Sequence, residues 1–243
     1  MESATLTSEN ISTSSVNNGQ NATSGQQTPY IPPSTTISTS ADYRYRLADI
    51  YARASVQDPL IIMFEQDKDP SVMSVTAALV RKACEGRIER KVNLGSLIVE
   101  AANFAAVACW EPPSATPSLL TTEELEVIAQ QRPTFAQFTR DIQSARIEIL
   151  GPETKYWSLS LMARDPDRKD RGAVRAVIEP FVARAKEEGV PLWLTAANTR
   201  ARDVYQYFGF RVVRYIESFP QGQKQGEGGG VPSWVMVCNW PPA

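Results

Sequence analysis

The sequence contains no histidine, and only three of its 243 residues are cysteines. The lack of histidine excludes Ser-His-Asp and Cys-His catalysis and removes the commonest side-chain ligand of transition metals. Cys84, Cys109 and Cys238 lie far apart and form no C-x-x-C pair. An odd number of widely spaced cysteines is typical of reduced thiols in a protein core, rather than of a disulfide framework or a zinc site.

The sequence also lacks a large excess of either sign of charge, and it lacks long apolar runs. The formal net charge is −2, and the isoelectric point calculated from the sequence is about 5.4. We therefore expect no strongly basic surface of the kind that binds nucleic acid without sequence preference. No apolar stretch approaches the ~18 residues that span a bilayer. The sequence thus predicts neither a nucleic-acid partner nor a membrane partner.

The first part of the chain is poor in large apolar residues. Residues 1–40 consist mainly of Ser, Thr, Asn, Gln and Gly, which cannot bury enough surface to offset the entropy of ordering them. We predict a disordered tail over residues 1–40, followed by a single domain over residues 41–243. No lysine or arginine precedes Arg44, and no signal-peptide pattern is present, so the sequence favours a cytoplasmic location.

Apolar periodicity and turn residues predict elements on both sides of a central segment. Thr121 and Glu124 have the spacing of a helix capping box, and the residues around Asn103 form a turn between two apolar runs. The predicted elements are helices over residues 43–54, 71–84, 121–131 and 134–150, hairpin strands over 97–100 and 104–110, and late strands over 211–217 and 233–239.

The central segment, residues 156–210, predicts a strand, a polar turn, a long helix, a strand and a short helix. An apolar run ends at Asp165 and Pro166. Apolar residues at helical spacing then continue from residue 173 to 185, and Gly189 ends the pattern.

Positive charge is concentrated just before the long helix. Four cations surround Gly172 where that helix begins: Arg168, Lys169, Arg171 and Arg175. The unpaired N–H groups and the positive end of the helix dipole lie in the same place. The pattern predicts a phosphate-binding site, and a solvated basic turn without a ligand is the alternative.

Two motifs in this segment resemble those of the GNAT N-acetyltransferase superfamily. The cofactor loop of that family follows a D-P-x turn with the pattern Q/R-x-x-G-x-G/A. Here residues 165–167 match the turn, and the three loop positions hold Lys169, Gly172 and Val174. The family's N-x-x-A-x-x-x-Y-x-x-x-G-F motif is matched by Asn198, Ala201, Tyr205, Gly209 and Phe210. The close match covers roughly the C-terminal two fifths of the chain.

The resemblance implies a GNAT-like α/β fold with a central mixed, mostly antiparallel sheet flanked by helices. Residues 112–150 would form a helical insertion before the central strand, and residues 59–69 a loop lining the acceptor pocket. The implied reaction is transfer of an acetyl group from acetyl-CoA to an amine of a small molecule, without a metal, by a monomer or homodimer. The resemblance is to a fungal-like member with a degenerate cofactor loop.

The resemblance also implies roles for individual residues. Backbone N–H groups at Met162, Ala163 and Arg164 would polarise the acetyl carbonyl, and Tyr205 would protonate the leaving thiolate. Asn198 would cap the short helix or contact the pantetheine arm. The cofactor's pyrophosphate would be held by Lys169, Asp170, Arg171, Gly172, Ala173, Val174 and Arg175.

The proton acceptor has no motif of its own. Glu111, at the end of a predicted strand, and Glu100, in the hairpin, are the first carboxylates to test as the base that deprotonates the acceptor amine. For each of them the sequence favours a place on the surface over a catalytic role.

Two residues depart from the family pattern. Val174 replaces a small residue where the backbone approaches the pyrophosphate, and Asp170 adds a negative charge where glycine is usual. The rival hypothesis is a GNAT-like fold with a decayed CoA site, which carries out CoA-independent chemistry on a small metabolite or serves as a non-catalytic binding module. A P-loop nucleotide kinase is excluded because G-x-x-x-x-G-K-S/T is missing.

Overall fold

The computed structural model describes residues 32–115, 118–223 and 228–241. Within these ranges the chain forms seven strands and seven α-helices around one sheet. The strands are β1 Thr35–Ser38, β2 Leu97–Ala101, β3 Ala106–Glu111, β4 Trp157–Arg164, β5 Leu192–Ala196, β6 Arg211–Ser218 and β7 Val231–Cys238. The helices are α1 Ala41–Ser55, α2 Pro59–Lys68, α3 Ala77–Asn93, α4 Thr122–Gln131, α5 Pro133–Leu150, α6 Ala173–Glu187 and α7 Thr199–Tyr207.

The sheet is mixed and mostly antiparallel, as predicted. The strand order is β1-β2-β3-β4-β5-β7-β6, and β4 and β5 form the parallel pair among the described strands. A parallel pair needs a crossover, and α6 supplies it.

Helices cover both faces of the sheet. On one face, called the α6 face here, α6 and α7 pack on a cluster in which Trp110 stacks on Phe181 with ring centroids 4.6 Å apart. On the opposite face, called the α1 face, α1 and α3 cover β2 to β4, and α5 covers β5 to β7. Apolar residues on alternate strand positions face these helices, which is why both layers form.

Strand β4 changes its geometry at Ser160. Leu159 pairs with Trp110 and Leu161 pairs with Cys109, so Ser160 is an extra, bulged residue. As a result, Leu159 lies in the core of the α6 face, whereas Leu161 lies in the core of the α1 face. Without a bulge, two residues at this spacing would share a face.

The bulge coincides with the end of the parallel pairing. The β4–β5 ladder runs from Trp157 and Leu192 to Leu159 and Leu194, and within the described ranges no pairing between these strands is found beyond it. Residues 160–164 of β4 and 195–196 of β5 therefore diverge. We call the opening between them the seam.

Most predicted elements are present, with shifted bounds. The capping box of Thr121 and Glu124 starts α4, so helices form in the predicted 112–150 segment. The hairpin, the central strand-turn-helix and the late strands are also confirmed. In the described part of the chain, no helix is long and apolar enough to cross a membrane.

Three expectations need correction. Residues 35–38 form an edge strand, so the end of the predicted tail was wrong; the rest of that prediction, over residues 1–31, lies outside the described residues. The loop predicted over residues 59–69 is helix α2, because Asp58 accepts the N–H of Leu60 and Pro59 suits a first helical position. The second predicted helix begins later than residue 71, after Thr76.

Candidate active site

The seam exposes the part of β4 that the family motif predicted to bind an acyl group. Met162 packs on the α6 face and Ala163 is buried on the α1 face. Since the ladder to β5 stops at Leu159, the β4 edge at residues 160–164 has no strand partner on that side among the residues that the structure describes. An extended ligand could pair with this edge as a strand would.

The turn between β4 and α6, residues 165–172, ends in a left-handed glycine. Gly172 has φ 80° and ψ −7°, and no side chain in the described part of the chain caps the N-terminus of α6. Ala173, the first helical residue, is fully buried. The first N–H groups of α6 are therefore available at the turn, which is the arrangement that binds phosphate in many proteins.

The cations of this turn divide into those that have protein partners and those that have none among the described residues, and Arg168 and Arg175 have partners. Arg168 donates to both oxygens of Asp170, at 2.7 and 3.0 Å, and to the carbonyl of Asn103 at 2.6 Å. Arg175 is also engaged, by the Tyr207 hydroxyl and by Glu179. Asp170 thus neutralises a neighbouring arginine, and the Arg168 guanidinium holds the pKa of that carboxyl below its usual range.

The other group of cations is free to meet a ligand. Lys169 and Arg171 are exposed, and neither has a side-chain partner among the described residues. Arg164, at the end of β4, has a buried Nε atom without a hydrogen-bond partner in the described chain. Lys169 and Arg171 belong to the turn that precedes α6, and Arg164 ends the strand that leads into that turn.

Arg53 of α1 holds the β4–α6 turn in place through ion pairs. Its guanidinium donates to both oxygens of Asp165 at 3.0 Å, to Asp167 at 2.7 Å and to Asp49 at 3.0 Å. The hydrogen bonds from Arg53 hold the pKa of Asp165 below its ordinary value, although partial burial opposes this. Sequence reasoning missed Arg53, because 112 residues separate it from Asp165 and no local motif marks it.

An open cleft of about 730 Å³ lies between the first turn of α6 and α7. Val174 lies at its edge and also packs against the core of the α6 face. The remaining lining is Thr199, Arg200, Asp203, Val204, Tyr207 and Phe208. The valine therefore narrows the cleft without closing it.

Tyr205 of α7 lies on the α6 face next to the seam. Its side chain is 7% exposed, and its ring lies 5.9 Å from that of Phe210. Burial raises the pKa of Tyr205 well above its ordinary value, and the phenol of Tyr51 adds to this effect. Tyr51 belongs to α1 on the opposite face.

Asn198 caps α7, as predicted. Its amide oxygen accepts the N–H of Ala201 at 2.9 Å, and its amide nitrogen donates to Asp58 at 2.7 Å. Both functional groups of the side chain therefore have protein partners. A contact to a pantetheine arm stays a prediction, and it would use the second N–H of the amide.

The two candidate bases are held by structural partners. Glu111 is 5% exposed, forms an ion pair with Lys91 and stands opposite Ser158 at the paired end of β4. Four strand residues, or about 13 Å, separate that position from Met162. Glu100 accepts hydrogen bonds from Thr36 and from the N–H of Phe104, and so holds the β2–β3 turn.

A second cleft, of about 520 Å³, lies two strands beyond β5, between the start of α5 and the end of β6. Asp141 and Glu217 are its acidic lining residues. It contains none of the site residues that the sequence motifs predicted.

No protein-family model matches the chain. The chain is similar to the uncharacterized protein YDR391C of Saccharomyces cerevisiae, with 32% identity over 150 residues, or 58% of this chain and 60% of that protein. It is also similar to the uncharacterized N-acetyltransferase C550.08 of Schizosaccharomyces pombe, with 23% identity over 58% of this chain and 59% of that protein. The match thus spans about three fifths of the length of these relatives.

Solved structures share the architecture over most of the chain. An acetyltransferase of Corynebacterium glutamicum, described as histone acetyltransferase HPA2 and related acetyltransferase, has a TM-score of 0.54 at 20% identity, covering 85% of this chain and 96% of its own. Arylalkylamine N-acetyltransferase 2 of Aedes aegypti has a TM-score of 0.54 at 12% identity, covering 84% and 97%. At these identities the comparison establishes architecture, and the architecture is the GNAT N-acetyltransferase fold.

Proposed function

We propose that this protein is an acetyl-CoA-dependent N-acetyltransferase that acetylates an amine of a small molecule. One observation carries the proposal: the seam opens beside the uncapped N-terminus of α6, at the left-handed Gly172. The seam offers a strand edge to an extended arm, and the turn offers donors to a pyrophosphate.

The residues at the turn suit a diphosphate. Lys169 and Arg171 have no partners among the described residues, and Arg164 carries an unpartnered buried Nε. Asp170, which departs from the family pattern, is neutralised by Arg168. We propose that the phosphate oxygens are bound by the first N–H groups of α6 together with the three free cations.

The donor would supply an acyl thioester. In the proposed reaction a nitrogen–carbon bond to the acyl group forms, the carbon–sulfur bond breaks, and the thiolate leaves. Backbone N–H groups at residues 162–164 would stabilise the negative charge that develops on the acyl oxygen. Groups of this kind typically contribute about 3 to 4 kcal/mol to lowering the barrier.

Two proton transfers complete the reaction. Because burial raises the pKa of Tyr205, its phenol is protonated at neutral pH and can donate a proton to the thiolate. In water, proton transfer from a phenol of pKa ~10 to the thiolate of a thiol of pKa ~8.5 is uphill by about 2 kcal/mol. The raised pKa of Tyr205 adds to this cost, and desolvation of the thiolate in the same site would offset it. Glu111, held by Lys91 at the paired end of β4, would take the acceptor's proton through intervening water.

The comparisons are consistent with an amine acceptor. Solved proteins with this fold are described as arylalkylamine N-acetyltransferase and as agmatine N-acetyltransferase. The yeast relative C550.08 is described as an N-acetyltransferase. These descriptions support the reaction class. Which amine is accepted depends on the side chains of this protein's own acceptor site.

The test is calorimetric titration of the full chain with CoA and acetyl-CoA, followed by a free-thiol assay with a panel of amines. We expect saturation at micromolar acetyl-CoA and thiol release that depends on an amine. No heat and no thermal shift at millimolar CoA would reject the proposal in favour of a decayed cofactor site. Binding of CoA without transfer to any amine would favour a binding module.

A further inference from the structure

The side chains of the β4–α6 turn, residues 165–172, fall into an anchored set and a free set. The anchored side chains form ion pairs or hydrogen bonds with other protein groups: Asp165, Asp167, Arg168 and Asp170. Lys169 and Arg171 have no side-chain partner among the described residues. The anchored side chains therefore fix the turn, and the free cations and the first N–H groups of α6 are left for a ligand.

Arg53 of α1 anchors the first half of the turn. Its Nη1 and Nη2 atoms each lie 3.0 Å from an oxygen of Asp165, and Nη1 also lies 2.7 Å from an oxygen of Asp167. Asp165 is the first residue after β4, so these bonds hold the point at which the chain leaves the strand. A guanidinium that meets both oxygens of one carboxylate fixes the direction of that side chain as well as its distance.

Arg168 anchors the second half of the turn to the β2–β3 turn. It donates to the carbonyl of Asn103 at 2.6 Å while it also holds Asp170. Ala102, Asn103 and Phe104 all have positive φ, of 54°, 51° and 64°. Residues other than glycine rarely adopt this conformation, and three in succession persist only where the surroundings stabilise them. The β2–β3 turn thus offers Arg168 a carbonyl in a fixed place.

Arg53 has no positive charge to spare for a phosphate. All three of its nitrogen atoms donate to carboxylates, Nε to Asp49 at 3.0 Å and the other two to Asp165 and Asp167. One guanidinium among three carboxylates leaves a net negative charge at this place. Any contribution of Arg53 to donor binding must therefore come from the position that it gives the turn.

We propose that Arg53 is a positioning residue for the donor: through Asp165 it holds the β4–α6 turn in the conformation that binds the diphosphate, and it does not itself contact the ligand. The inference rests on the proposed function, because it takes the donor's diphosphate to bind at this turn. Since the turn is ordered before the ligand arrives, the entropy cost of ordering it does not weaken binding. Loss of the anchor should lower the affinity for CoA and leave the chemical step intact.

Two substitutions separate position from charge. Arg53→Lys keeps the positive charge but cannot meet both oxygens of Asp165, and Asp165→Asn removes a negative charge beside the turn. If Arg53 acted only through its charge, the first change would leave CoA binding as it is and the second would tighten it. We expect both variants to weaken CoA binding about tenfold. Calorimetry on the full chain, at a temperature where each variant is folded, measures the change.

A double-mutant cycle tests whether the two residues act as one unit. Arg53→Met combined with Asp165→Asn should bind CoA within about twofold of the weaker single variant, because each change alone breaks the same link. The dependence of CoA affinity on salt should stay that of the wild type, since no contact between a cation and the phosphates is lost. Loss of general stability alone would produce neither result.

The acetylation assay and a matched control complete the test. Arg53→Met should raise KM for acetyl-CoA about tenfold and change kcat less than about threefold, because it affects binding and not the chemical step. The control is Arg44→Met. Arg44 lies on the same helix, its side chain is 31% exposed against 30% for Arg53, and it forms an ion pair with Glu89 of α3. It should leave CoA binding unchanged.

The outcomes separate this inference from the proposed function. Unchanged CoA affinity in Arg53→Lys and Asp165→Asn, tighter binding in Asp165→Asn, additive losses in the double variant, or an equal loss in Arg44→Met would overturn the inference and leave the donor site standing. No CoA binding by the wild-type chain would reject both. Weaker CoA binding in both single variants, together with no transfer to any amine, would reject the transferase function and retain the positioning role.

Discussion

The side-chain amide of Asn198 donates a hydrogen bond of 2.7 Å to the carboxylate of Asp58, and each of these residues is the N-cap of a helix. Asp58 begins α2 and Asn198 begins α7, at the end of β5 where the seam opens. The bond therefore ties a helix from the α1 side of the site to a helix of the α6 face. The bond thereby holds the starts of α2 and α7 together at the entrance of the proposed site.

The first prediction concerns this link. Asp58→Ala removes the cap of α2 and the bond to Asn198 together, and we expect it to lower the free energy of unfolding by about 2 kcal/mol. Asp58→Asn keeps one acceptor oxygen and should cost about half as much. Urea denaturation measures both changes. Asp69→Ala, at the other end of α2, removes only local hydrogen bonds to Ser71 and should cost less than Asp58→Ala. No measurable loss in Asp58→Ala would show that neither the cap nor the link to α7 contributes.

The second prediction concerns the Arg53–Asp165 pair. The folded protein holds the pKa of Asp165 below its unfolded value, so its contribution to stability is present above about pH 4 and is lost as the pH falls through the lower, folded pKa. We expect Asp165→Asn to cost about 1 to 2 kcal/mol at pH 6. The difference from wild type should shrink as the pH falls below about 4. Asp42→Asn, in an exposed pair with Arg46, is the control and should cost less than about 1 kcal/mol at pH 6.

The third prediction concerns the free cations of the turn. Replacing Lys169 and Arg171 together by alanine should weaken CoA binding tenfold or more and reduce its dependence on salt, because two charge-assisted contacts are lost. The melting temperature should not change, since neither side chain has a partner among the described residues. Calorimetry at two salt concentrations measures the effect. Lys186→Ala, near the other end of α6, should bind CoA as the wild type does.

The fourth prediction concerns Val174. Because this valine narrows the cleft beside α6, Val174→Ala should tighten CoA binding about three- to tenfold. Stability should change by less than about 1 kcal/mol, since lost packing and improved helix propensity oppose each other. Calorimetry and thermal melting test both statements. Weaker binding in Val174→Ala would mean that the methyl groups contact the ligand.

The fifth prediction concerns Tyr205. Tyr205→Phe should lower kcat ten- to a thousandfold with little change in CoA affinity, as expected for loss of a general acid. Burial raises the pKa of this phenol, so the ratio of wild-type to variant activity should stay constant from pH 6 to 9. Tyr215→Phe, at an exposed position of β6, is the control and should keep full activity. Unchanged turnover in Tyr205→Phe would remove this residue from the mechanism.

Local sequence determined much of this fold. The apolar spacing after Gly172 defined α6, the Thr121 capping box defined the start of α4, and Asn198 was recognised as a cap. In each case the cause lies within a few residues of the effect. The sequence pattern did not predict α2. The short apolar run of this helix has no apolar stripe at helical spacing, so it could not be told from a loop.

The sequence by itself determined which elements form and where an anion-binding turn lies, because periodicity, capping and charge act over neighbouring residues. Only the tertiary structure decided that Arg53 holds the turn and that Asp58 meets Asn198. These relationships depend on the bulge at Ser160 and on helix packing across the sheet, which bring together residues far apart in the chain and which no local pattern encodes.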